Sequence, residues 1–96
     1  MKKILLVTLD ITRPSVNRQA LFDTLKKQGR WWHYMKPTWL IFTNKSPDEV
    51  VENLRPHIEK RGRLLVVPFA RPYQGYLPKD AWNWIHKCEA EVKVDQ

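Results

Sequence analysis

KKILLVTLD, residues 2–10, decides the architecture. A run this rich in Ile, Leu and Val reads as a buried β-strand. Its last residue, Asp10, then emerges at the rim of the sheet, with Arg13 and Arg18 following closely. A carboxylate among arginines is either neutralised by them or holds a divalent cation for phosphate chemistry. The two outcomes separate a nuclease from a binder.

Working outward, ITRP forms a loop, and Ser15 is positioned to cap a helix through about Gln28, with Ala20, Leu21, Thr24 and Leu25 as its inner stripe and Gly29 as its stop. RWWHYM, residues 30–35, and TWLIFTN, residues 38–44, flank Lys36-Pro37 and read as a hairpin. Ser46-Pro47-Asp48-Glu49 combines an N-cap serine, a proline at the first helical position and a glutamate three residues after the cap. Val50, Val51, Leu54 and Ile58 carry that helix forward, with Pro56 expected to kink or split it and Gly62 to end it. RLLVVPFA, residues 63–70, is the fourth strand, bent or at an edge because of Pro68. After a turn-rich stretch, Pro78 opens a short helix, KDAWNWIHKC, and EAEVKVDQ follows as a strand or a frayed tail.

The order strand, helix, strand, strand, helix, strand predicts an α+β chain: a single ferredoxin-like β-α-β-β-α-β sandwich. Its core spans about residues 1–70, and residues 71–96 form a helical or extended C-terminal addition. Two helices cover one sheet face and leave the other bare. Five Trp and three Tyr do not all fit under two short helices. The bare face is therefore expected to be covered by the C-terminal segment and by a second subunit, giving a homodimer.

Composition narrows the function. Seventeen basic residues stand against ten acidic ones, a net charge of +7. Three of the acids (Glu89, Glu91, Asp95) fall in the last eight residues, so residues 1–88 carry 16 basic and 7 acidic side chains. That excess favours a polyanionic partner, most simply nucleic acid. No run of about 18 apolar residues predicts a membrane span, and no signal-peptide cleavage pattern follows the N-terminal run. Cys88 has no second cysteine to pair with, and it reads as a packing residue. The expectation is a cytoplasmic protein. Arg13, Arg18, Arg30 and Lys36 are the candidate nucleic-acid contacts. Trp31, Trp32, Tyr34 and Trp39, beside Arg30 and Lys36, form either a stacking platform for single-stranded bases or core and interface filling. Lys60-Arg61-Arg63 becomes a phosphate site only if it joins Lys26, Lys27 and Arg30 on one surface. His33, His57 and His86 are candidate general bases by residue type, but each reads as a packing or surface residue. No P-loop, dinucleotide glycine pattern or Ser-His-Asp arrangement occurs.

LVTLDI with Asp10, KPTWLI, RLLVV and GYLPKDAWNWI together resemble the SinR-like small bacterial proteins. More widely, they resemble the ferredoxin-like CRISPR-associated adaptation subunit, the VapD-type toxin ribonucleases and the GhoS-type antitoxin ribonuclease. The resemblance spans most of the chain. It implies a dimer in which Asp10 pairs with its twin across the axis as a Mg2+ ligand, and a possible metal-dependent endonuclease with Asp10 as its catalytic residue. Arg18 loosely matches the family's helix-one arginines. Thr38-Trp39-Leu40 stands where the CRISPR-associated relatives have Ser-Val-Phe, a departure within the implied apparatus. The alternative is a non-catalytic binding or assembly module on the same scaffold, acting through nucleic acid or a protein partner.

Overall fold

A computed structural model describes residues 1–95. The elements are β1 (Lys3–Ile11), α1 (Arg18–Lys26), β2 (Arg30–Met35), β3 (Thr38–Thr43), α2 (Pro47–Ile58), β4 (Gly62–Pro68) and α3 (Lys79–Asp95). The sheet order is β2-β3-β1-β4, with every neighbouring pair antiparallel. This is the ferredoxin-like sandwich, followed by one further helix.

β1 is apolar on both faces because both faces are covered. Leu5, Val7 and Leu9 point one way, joined by Trp39 and Ile41 of β3. Leu21 and Leu25 of α1 and Val50, Leu54 and Ile58 of α2 pack over them. Ile4 points the other way, with Trp32, Leu40 and Phe42, and meets Ala81, Ile85 and Cys88 of α3. The alternation of side chains along a strand supplies both layers from one segment. The expected cover for the second face is thus α3 of the same chain.

Several boundaries fall differently from expectation, each for a local reason. Asn17, not Ser15, caps α1: its side chain accepts from the Ala20 amide at 3.0 Å. Gly29 does not adopt a left-handed turn. It is needed because a Cβ there would run into the Phe42 carbonyl of β3. The capping box at the start of α2 is complete, with Ser46 and Glu49 bonding reciprocally. Pro56 lies in the last turn of α2, which continues to Ile58 unsplit. The left-handed residue after α2 is Lys60, at φ 65°. Gly62 instead opens β4, where a Cβ would press on the Asp10 carbonyl.

The largest departure is α3. EAEVKVDQ is neither strand nor tail over the described residues, because the helix runs on to Asp95. Gln96 lies outside the described residues. Acidic side chains tie α3 down. Arg30 makes two hydrogen bonds to Glu91, at 2.6 and 3.0 Å. Glu89 accepts from the Tyr73 hydroxyl at 2.7 Å and from Arg71 at 3.1 Å. Among the described residues, no helix is long and apolar enough to cross a membrane.

Candidate functional site

α1 lies with Leu21 and Leu25 inward, which turns Arg18 and Lys26 outward and leaves Phe22 half-buried at the margin of the core. These three are spaced four apart, so they share one stripe of the helix. That stripe faces the edge strand β2, which directs Trp31 and His33 toward the same side as Trp39. His33 lies flat on Trp39, with centroids 3.9 Å apart and planes 8° apart. Phe22 packs on both, at 5.6 Å from Trp39 and 6.2 Å from His33. The Lys26 ammonium sits 5.0 Å above the Trp31 ring, within cation–π range. A cavity of about 470 Å³ opens among these rings.

His33 Nε2 donates to the Lys36 carbonyl at 3.1 Å. A carbonyl only accepts, so the proton sits on Nε2 and the ring is held in place. His57 is structural: it bonds Thr24 Oγ1 at 3.1 Å and links α2 to α1. His86 lies exposed on α3, near Trp82. Cys88 is buried under α3, and burial pushes its thiol up to about 11. It has no nucleophilic character there.

Asp10 does emerge at the rim, at the end of β1. It shares a shallow depression of about 200 Å³ with Arg18, Lys36 and Phe22. Its partner, however, is Arg63 on β4, at 3.0 Å, rather than Arg13. The two residues face each other in the β1–β4 register. Arg13 stays exposed on the loop after β1, where its amide donates to the Arg61 carbonyl. Arg30 sits apart from this rim, at the far end of β2, paired with Glu91. Hydrogen bonding by Arg30 holds the Glu91 carboxyl below the usual carboxylate range. The structure therefore brings Asp10, Arg18 and Lys36 together, leaves Arg13 beside them and separates Arg30.

Lys60, Arg61 and Arg63 cluster at the Asp10 end of the sheet, whereas α1 finishes with Lys26 and Lys27 near Gly29 and Phe42, beside Ile4 at the other end. The basic groups at the two ends form no single patch. Arg18, Lys26 and Lys36 make no ion pair among the described residues, whereas Arg30, Arg55, Arg63 and Arg71 do. A divalent cation needs several oxygen donors. Among the described residues, no group of three His, Cys, Asp or Glu side chains comes together to supply them. Within one chain, Asp10 and its guanidinium partner do not fit a metal.

Phe22 went unassigned in the sequence reading, and Lys26 was considered only as a companion of Lys60, Arg61 and Arg63. The signal was present in the spacing Arg18, Phe22, Lys26, which repeats every four residues beside an inward Leu21 and Leu25. What the stripe offers chemically is planar apolar surface flanked by unpaired cations. That combination suits a planar ring attached to an anion. No family model, curated protein or solved structure matches the chain.

Proposed function

We propose that this protein is a nucleic-acid-binding module that contacts its ligand along α1 and the edge strand β2. One observation carries the reading: Arg18 and Lys26 flank Phe22 on one helix stripe beside Trp31 and His33, and neither cation is paired among the described residues. The net charge of +7 supports it. Arg13 and Lys36 extend the cationic rim toward Asp10. The stripe from Arg18 to Lys26 runs about 12 Å along the helix, enough for a few nucleotides. Salt dependence tests the reading. If Arg18, Lys26 and Lys36 each neutralise one phosphate, the log–log slope for single strands should be about −2. Arg18→Glu with Lys26→Glu should abolish binding, while Arg55→Glu on α2 should leave it unchanged. Equal effects from both would defeat the assignment of the surface.

Membership of the SinR-like group, and kinship with the CRISPR-associated and toxin ribonuclease scaffold, belong to the same proposal. So does a homodimer: exposed Tyr34 and Met35 on the edge strand β2 offer apolar surface for it. A second reading, metal-dependent cleavage through Asp10, draws on the depression that Asp10 shares with Arg18 and Lys36. It would require Asp10 to exchange Arg63 for a donor from a second chain. Magnesium-dependent cleavage of an RNA or DNA substrate, lost in Asp10→Asn, would favour this reading over the non-catalytic one.

A further inference from the structure

Trp31 and His33 stand two residues apart on β2. Side chains at that spacing are separated by about 6.6 Å along a strand, roughly twice the thickness of an aromatic ring. His33 leaves the gap open because it lies flat against Trp39. The Trp31 ring is tilted 52° from that of Trp39, and the flexible Lys26 side chain reaches over it, with its ammonium 5.0 Å from the ring. The cavity of about 470 Å³ is lined by both, with Phe22 and Lys26 on the α1 side. Trp39 is almost wholly buried in the lining, and its indole N–H has no acceptor among the described residues. Trp31 by contrast is 41% exposed.

We infer that this notch receives one unstacked base of a single-stranded nucleic acid, seated on Trp31, with a flanking phosphate at Lys26 and the strand running on toward Arg18. The inference rests on the nucleic-acid reading and adds the form of the ligand. A base inside a duplex has both faces occupied by its neighbours and cannot enter. Aromatic stacking tolerates any base, so the notch distinguishes single from double strands without selecting sequence.

The test uses the full chain and three labelled probes: a short oligo(dT), a short oligo(U) and a duplex of equal length, each titrated at low salt. Both single strands should bind more tightly than the duplex. Trp31→Ala should weaken single-strand binding about tenfold, with less than about twofold change for the duplex. Trp31→Phe should restore most of the loss, and Tyr76→Ala, on the opposite face, should change nothing. Each variant is melted alongside the parent. Acrylamide quenching of the parent's tryptophan fluorescence gives a readout independent of mutation, and bound oligo(dT) should reduce it. Unchanged quenching, or equal losses for single strands and duplex in Trp31→Ala, overturns the inference and leaves the nucleic-acid reading standing. If the parent binds none of the three probes, that reading falls and the inference falls with it.

Discussion

Asp10 and Arg63 face each other across β1 and β4, yet both side chains remain largely in water, at 59% and 80% exposure. Water and salt screen such a pair, and its contribution to stability is about 0–1 kcal/mol. Asp10→Asn is therefore expected to change stability by less than about 1 kcal/mol. It also removes a negative charge from the rim and frees Arg63, so oligonucleotide affinity should rise about two- to threefold, the scale of one screened charge. A thermal melt and a titration on the same variant check both signs. Added magnesium should leave the parent's melting temperature unaltered, since one carboxylate beside a guanidinium gives the ion little to bind. The position of Asp10 was legible from its place after a hydrophobic run. Its partner was not, because Arg63 is distant in sequence and reaches Asp10 only through strand register, whereas Arg13 is merely near in the chain.

At the scale of elements, local chemistry was read well and long-range chemistry poorly. The box at Ser46 and Glu49 is complete within four residues, so the sequence displays it whole. The tail EAEVKVDQ alternates with a period of two and suggested a strand. A longer window shows Ala81, Ile85, Cys88 and Val92 continuing one helical stripe against the sheet. The ion pairs that fix that helix, Arg30 with Glu91 and Arg71 with Glu89, join segments far apart in sequence. Arg30 was read as a ligand contact, and its pairing with Glu91 could not be seen from the sequence. Gly29 offers a sharper case. It was read as a helix stop, but what excludes a side chain is the backbone of β3 pressed against it. Gly29→Ala should cost about 2 kcal/mol by forcing α1 and β3 apart, measured by denaturant unfolding. An unchanged midpoint would mean that the α1–β2 connection relaxes freely.

The whole molecule is a sheet held between two unequal covers. α1 and α2 form one; α3, with Phe69, Tyr73 and Leu77 of the segment before it, forms the other, anchored by Ile85 and by its acidic tethers. Ile85→Ala should destabilise the chain by about 2–4 kcal/mol and make it self-associate, because Ile4, Trp32, Leu40 and Phe42 lose their cover; sedimentation would report the change. The Glu91 tether gives this cover a pH dependence. Its folded pKa is depressed, so its stabilisation is complete above the ordinary value of 4.5 and is lost as pH falls through the lower folded value. Glu91→Gln should flatten that acid limb of the melting temperature without altering the curve near neutrality beyond a constant offset. The sequence already implied that a second cover was needed, from the number of aromatic residues. It also placed the C-terminal segment there, with a second subunit, but did not show that this segment continues as one long helix.

The order of synthesis gives that arrangement a cost. β1 leaves the ribosome ahead of the other strands, with apolar residues on both sides, while α3 leaves after all four strands have been made. For the interval between them the sheet can fold on one side only, and its second face is a ready surface for other nascent chains. A chain halted after Pro78 should therefore be held by a chaperone that recognises exposed aromatic segments, and should be released once translation has carried α3 clear of the exit tunnel.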